Sequence, residues 1–293
     1  MTASDVRREI ARRVARAHEP LGAGNGLLAL VSGSVVEDIA DGRSDIDMAI
    51  VFDTLPSEEA LRAACGEPWI WQLGSLDEGS LVVAFRVDGI EVQIAYSDHA
   101  TLVRELDQVL VAHDPDTPQH KLAEGLAKAE ALVGADRLQA LQRRIADFPE
   151  PLGRAMAAHF LGRVTPWRAI GQLLHRDASL WCHELRVQAG YRLIGALAGL
   201  NALYFTTFQF KRMRGFVAKM PVAPPDVAAR IERALNAGAE EGFAELHALE
   251  GEVTALVAQR WPDLDLGAVR ERHAAYVPSA ARTAVSDGSV DSR

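Results

Sequence analysis

From Ser4 to Ala17 the chain repeats apolar residues at Val6, Ile10, Val14 and Ala17, a helical spacing with a basic outer face. Leu27-Leu28-Ala29-Leu30-Val31 is short and wholly apolar, which predicts a buried strand stopped at Gly33. Asp45-Ile46-Asp47-Met48-Ala49-Ile50-Val51-Phe52 alternates polar and apolar at its start and then turns wholly apolar, as an interior strand does. Pro56-Ser57-Glu58-Glu59 opens a helix with acids in its first turn. Leu81 to Val87 and Ile90 to Tyr96 are β-rich runs joined by Asp88-Gly89, the dipeptide of a tight hairpin. Residues 1–112 are therefore expected to form a mixed α/β module on a small sheet.

His113-Asp114-Pro115-Asp116-Thr117-Pro118 has turn chemistry and no periodicity, and the domain boundary is placed there. Beyond it, apolar positions three and four apart run through 120–146, 151–163, 166–175, 179–199, 226–237 and 241–260, with Pro221, Pro224 and Pro225 in the longest break. The expected fold class is α+β, with an all-α domain over 119–278. Residues 279–293 offer no packable face and are expected to be disordered.

Composition narrows the classes. Hydrophobic residues at 48% and charged residues at 24% exclude a wholly disordered chain. A net charge of -9 argues against a protein that wraps duplex DNA, and it suits a cationic small substrate or a metal. Cys65 and Cys182 cannot build a disulfide framework or a four-ligand zinc site, so both are read as reduced, which fits the cytoplasm. The polar stretch Met1 to Arg13 lacks the apolar core of a signal peptide. The longest apolar stretch, Leu193 to Tyr204, is interrupted by Gly195, Gly199 and Asn201 and is too short to span a bilayer. Neither a membrane nor a nucleic acid is an expected partner.

The chemistry concentrates in Val31-Ser32-Gly33-Ser34 and Ser44-Asp45-Ile46-Asp47. Alternation on a strand puts Asp45 and Asp47 on one side, roughly 7 Å apart. Two carboxylates so placed repel unless a cation lies between them, and oxygen ligands of this kind suit magnesium. Gly33 lets backbone approach a phosphate closely, where N–H groups and the Ser34 hydroxyl can bond its oxygens. The competing reading is a pair of carboxylates on a solvated strand end.

Gly33-Ser34, the interval from Val35 to Ser44, and then Asp45-Ile46-Asp47 resemble the signature of the DNA polymerase beta-type nucleotidyltransferase superfamily. The layout is most similar to its small-molecule branch, the aminoglycoside and lincosamide nucleotidyltransferases, in which a minimal nucleotidyltransferase domain precedes a helical one. By motif the resemblance covers residues 27–97. It implies two magnesium ions held by Asp45, Asp47 and a third carboxylate, with ATP or another NTP bound by Gly33, Ser34 and Ser44. The third carboxylate is Glu91, in Gly89-Ile90-Glu91-Val92-Gln93-Ile94, which would take the proton of the attacking hydroxyl. Gln93 is the rival alignment and would leave that place without an acid. Lys211, in Phe210-Lys211-Arg212-Met213-Arg214, resembles the lysine that holds the outer phosphates in related enzymes; the alternative is a solvated basic helix face. Trp181 and Glu184 are candidates for the acceptor side, with packing of Trp181 in a core as the alternative.

Other signals carry less. Gly22-Ala23-Gly24-Asn25-Gly26 follows a helix and precedes a strand, the reverse of a dinucleotide fingerprint, and reads as a turn. The histidines form no zinc motif. The acids from Glu240 to Glu252 read as a solvated helix face. The resemblance thus points to transfer of a nucleoside monophosphate, AMP from ATP, to a small-molecule hydroxyl, with an aminoglycoside- or lincosamide-like antibiotic as acceptor. The alternatives are modification of a protein or tRNA in the manner of toxin–antitoxin systems, and a non-catalytic nucleotide-binding relative.

Overall fold

Thr2 and Asp5 exchange hydrogen bonds at the start of the chain, Asp5 N–H to Thr2 Oγ1 at 3.1 Å and Thr2 N–H to Asp5 Oδ2 at 2.7 Å. This capping box starts α1 (Ala3–His18) in a computed structural model that describes residues 2–163 and 165–276. The disordered tail expected at 279–293 lies outside the described residues.

The apolar run forms β1 (Leu27–Ser32) and the alternating run β2 (Ile46–Phe52). Ser57 caps α2 (Glu58–Cys65), and Gly66 closes it in the left-handed region. β3 (Trp71–Ser75), β4 (Ser80–Val87) and β5 (Ile90–Asp98) follow. The β4–β5 turn has φ 53 at Asp88 and φ 80 at Gly89, the double left-handed turn that matches the twist of a hairpin. Asp98 caps α3 (His99–Leu110) by accepting the Thr101 N–H at 2.8 Å.

Residues 120–146, read from the sequence as continuous helix, instead form α4 (His120–Lys128), β6 (Glu130–Val133) and α5 (Ala135–Ala146). The sheet has six strands in the order β3-β4-β5-β2-β1-β6, with β2 and β5 parallel and the other neighbours antiparallel. On one face, Ile10 and Val14 of α1 and Leu61 of α2 pack with Ala29, Val31, Ile46, Ile50, Phe85, Ile94 and Tyr96. Leu28 and Leu30, which alternate with that set, are also buried, and α3, α4 and α5 pack against β1, β2 and β5.

The chain divides into two compact units. The first comprises the chain up to Ala112 and Gln119–Asp147, the second His113–Pro118 and the chain from Phe148 onward. The domain expected at 119–278 is corrected accordingly: 119–147 belongs with the sheet, because β6 pairs with β1. Elsewhere the fold is α+β as expected.

In the second unit the elements are α6 (Glu150–Gly162), α7 (Trp167–Leu173), α8 (Ser179–Leu200), α9 (Met213–Val217), α10 (Val227–Asn236), α11 (Ala239–Arg260) and α12 (Gly267–Ala274). α8 packs on α6, α10 and α11. Gly153 and Gly199 let α6 and α8 approach, since a β-carbon on either would lie 2.7 Å from the other's carbonyl oxygen. Asp116 accepts from the Tyr191 hydroxyl at 2.8 Å and contacts His159 Nε2 at 3.1 Å.

The acidic run of α11 is not simply a solvated face. Arg230 bonds both Glu245 and Glu252, and Glu250 is buried. Cys65 and Cys182 are free and buried. Among the described residues, no helix is long and apolar enough to cross a membrane.

Candidate functional site

β1 ends at Ser32, and the chain turns through Gly33 at φ +67 into a short 3-10 turn over Gly33–Val35. Ser32 pairs with Asp47 on β2, so the corner stands directly beside the second aspartate. A β-carbon at position 33 would fall 2.4 Å from Asp47 Oδ2, and only glycine leaves that carboxylate its place. Ser34 is half-buried at the same corner.

Asp45 sits just before β2, and its alternation with buried Ile46 puts it on the same side as Asp47. The start of β2 is held from α1: buried Arg7 donates from Nε to the Ser44 carbonyl at 2.9 Å and from Nη1 to the Ala3 carbonyl at 3.1 Å. The Ser44 hydroxyl accepts the Asp41 N–H at 2.9 Å and donates to Asp41 Oδ1 at 3.1 Å. Ser44 thus fixes the turn that delivers Asp45.

β5 lies parallel beside β2, with Asp47 opposite Gln93 and Ile46 opposite Val92. Glu91 and Gln93 are half-buried on the face away from Val92 and Ile94. The Gln93 amide donates from one nitrogen to two carboxylates, to Asp45 Oδ2 at 2.9 Å and to Glu91 Oε1 at 3.0 Å. The shared amide donor ties the two carboxylates to one position on the sheet. On the far side of Glu91, exposed Arg86 of β4 is its register partner.

Asp45 just before β2, Asp47 on β2 and Glu91 on the adjacent β5 therefore share one face of the sheet, with Gly33 and Ser34 at the corner beside Asp47. Among the described residues, no group of three or more His, Cys, Asp or Glu side chains is gathered closely enough to hold a metal ion. The Gln93 amide lies between Asp45 and Glu91.

The remaining candidates lie in the second unit. Lys211 is exposed in a 3-10 turn over Thr207–Arg212, with Nζ 5.5 Å from the centroid of the Phe208 ring. It lines a cavity of about 470 Å³ together with Tyr191, Phe210 and Arg214. Trp181 is 53% exposed, which overturns its packing in a core. Glu184 is exposed near it, and both line a shallow depression at the start of α8.

The sequence does not single out Arg7, and it offers Gln93 only as the rival alignment to Glu91. Arg7 reads there as one of several basic residues on the α1 surface, and only its burial reveals the strut to Ser44. Gln93 was visible as a polar side chain on the carboxylate face, but its bridging role depends on the β2–β5 register.

No protein-family model matches the chain, and no curated protein matches it. Among solved structures, a nucleotidyltransferase-like protein from Exiguobacterium sibiricum 255-15 overlaps 85% of this chain and 75% of its own, at 13% identity and a TM-score of 0.40.

Proposed function

We propose that the chain is a nucleotidyltransferase that moves a nucleoside monophosphate from an NTP, AMP from ATP, to a hydroxyl of a small molecule. An aminoglycoside- or lincosamide-like antibiotic is the acceptor suggested by the resemblance. The observation that supports the reading is that Asp45 just before β2, Asp47 on β2 and Glu91 on the neighbouring β5 share one face, with Gly33 shaped around the Asp47 carboxylate.

The donor set fits magnesium, which takes one or two carboxylates and completes its shell with phosphate oxygens and water. Asp45 and Asp47 would hold it, and its charge would offset the negative charge of the triphosphate. Gly33 and Ser34 border the place where phosphate oxygens would lie. Glu91 would take the proton as the acceptor oxygen bonds to the α-phosphorus and pyrophosphate departs. Gln93 keeps the Asp45 and Glu91 carboxylates in register with one another through its two hydrogen bonds. Lys211 is the cation proposed to meet the outer phosphates, and Trp181 and Glu184 the acceptor contacts offered by the second unit.

The test is mass spectrometry of a panel of hydroxyl compounds incubated with the full chain, magnesium and each of the four NTPs. A mass gain of one nucleotide on a compound supports the reading. A second reading, a non-catalytic nucleotide-binding relative, is favoured by one feature: an amide, Gln93, and not an acid stands opposite Asp47. Tight NTP binding with no product on any compound would select it.

A further inference from the structure

Two histidines hold α12 on α11 by gripping each other's backbone. His247 Nε2 lies 2.8 Å from the His273 carbonyl oxygen, and His273 Nε2 lies 2.9 Å from the His247 carbonyl oxygen. A carbonyl oxygen can only accept, so both Nε2 atoms carry a proton and both Nδ1 atoms are bare in the neutral rings. Between these two bonds the rings stack, with centroids 3.7 Å apart and planes 11° from parallel. Gly251 makes the room, since a β-carbon there would fall 3.1 Å from His273 Nε2. Tyr276 tilts over His247 at 4.5 Å, and Trp167 of α7 meets the same ring edge-on at 5.0 Å.

The surroundings favour neutral rings. Neither imidazole is bonded to a carboxylate. Arg270 and Arg272 share α12 with His273 and oppose a further positive charge there. Glu250 stands one turn along α11 from His247, but its Oε2 is engaged by the Trp167 indole N–H. Burial pushes the Glu250 carboxyl up to about 7, against the pull of Arg272 and of Arg192 on α8, so it is neutral where an imidazole ordinarily charges. Glu240 of α11 acts on Tyr276, and Glu271 of α12 and Arg168 of α7 are exposed. Burial also pushes His247 below the ordinary histidine value, against the pull of its bond to the His273 carbonyl. A second proton on each ring, at Nδ1, would set two cations 3.7 Å apart with no carboxylate bonded to either.

We propose that the His247–His273 clasp is a pH-released latch: acidification charges both rings, their repulsion parts the stack, and α12 leaves α11. Tyr276, whose ring stands 5.4 Å from that of Trp167, departs with α12 and opens an indole that is 2% exposed while the latch is shut. His247 takes up its proton more readily once unlatched. The shut state is therefore fully present above the ordinary histidine value and is lost as pH falls through the lower value of the fold. The latch lies wholly in the second unit and does not depend on the nucleotidyltransferase reading.

The experiment is hydrogen exchange of the full chain at about pH 7.5 and about pH 5, read as protection after correction for intrinsic rates. Protection of α12 is expected to fall about tenfold or more at the lower pH, with α8 and α10 held within about threefold. His247→Gln and His273→Gln each keep an N–H donor and cannot charge. In either variant the fall is expected to shrink to about threefold or less, and each stands in for the other should one fray α12 at the higher pH. Glu250→Gln is expected to leave the fall in place. Histidine-selective NMR is expected to show both rings as Nε2–H tautomers at about pH 7.5. Wild-type α12 protection that does not change with pH would make the clasp merely structural and overturn the proposal. An Nδ1–H tautomer on either ring, a fall shared by α8 and α10, a fall undiminished in both histidine variants, or one abolished by Glu250→Gln would overturn it equally.

Discussion

Gly33 and Asp47 occupy one space: a β-carbon on Gly33 would lie 2.4 Å from Asp47 Oδ2, and the Gly33 backbone is at φ +67. The corner after β1 and the carboxylate on β2 are thus built against each other. Gly33→Ala is expected to cost about 1 kcal/mol or more in stability from backbone strain alone. It should also lower nucleotidyl transfer beyond what the lost folded fraction explains, because Asp47 must move. Thermal melts and turnover on the same preparations check this; wild-type turnover in a folded Gly33→Ala protein would break the link.

Asp47→Asn keeps the shape of the side chain and removes its charge. The expected outcome is loss of pyrophosphate release with a melting temperature close to wild type, since no core packing changes. A pyrophosphate assay beside a thermal melt decides it, and undiminished release would remove Asp47 from the chemistry.

Glu91→Gln should lower kcat by about a hundredfold or more while leaving ATP affinity nearly unchanged, because a general base acts in the transition state. Loss of ATP affinity in proportion would mark Glu91 as a ligand in place of a base. Gln93→Leu supplies the companion measurement. Without the shared amide, Asp45 and Glu91 lose their common donor, and transfer should fall although no carboxylate has been removed.

These residues also show where the sequence was legible. The wholly apolar run of β1 and the Asp88-Gly89 turn are local signals, and the strands and hairpin form where they predict. β3 and β6 are only 5 and 4 residues long, too short for a period to declare itself. Gly134, at φ +75 with a β-carbon position 2.3 Å from the Leu27 carbonyl oxygen, ends β6 against β1. The return of 119–147 to the sheet is a matter of long-range pairing, which local pattern does not encode. The same holds at the site. Alternation puts Glu91 and Gln93 on the polar face, but only the parallel register of β2 and β5 sets Gln93 opposite Asp47 and within reach of Asp45.

Lys211 lies exposed beside Phe208 and lines the cavity of the second unit. As a phosphate contact it should act mainly on nucleotide binding, so Lys211→Ala is expected to raise the KM for NTP about tenfold with a smaller change in kcat. An unchanged KM would return Lys211 to the reading of a solvated basic face.

Glu250 supplies a pH test in the second unit, independent of the site on the sheet. Its Oε2 accepts the Trp167 indole N–H at 3.0 Å, and its Oε1 is buried without a partner. Burial pushes this carboxyl up to about 7 from an ordinary 4.5, against the opposing pull of the Trp167 bond and of the Arg272 and Arg192 charges. The folded chain therefore holds a proton that the unfolded chain has released between those values. Stability from this group is fully present below the unfolded value and is lost as pH rises through the folded one, by about 3 kcal/mol at most. Glu250→Gln keeps the hydrogen-bonding shape and removes the ionisation. Urea unfolding at about pH 5 and about pH 8 should show the variant gaining on wild type as pH rises. A difference between the two proteins that stays constant across that range would mean that Glu250 is ionised in the fold.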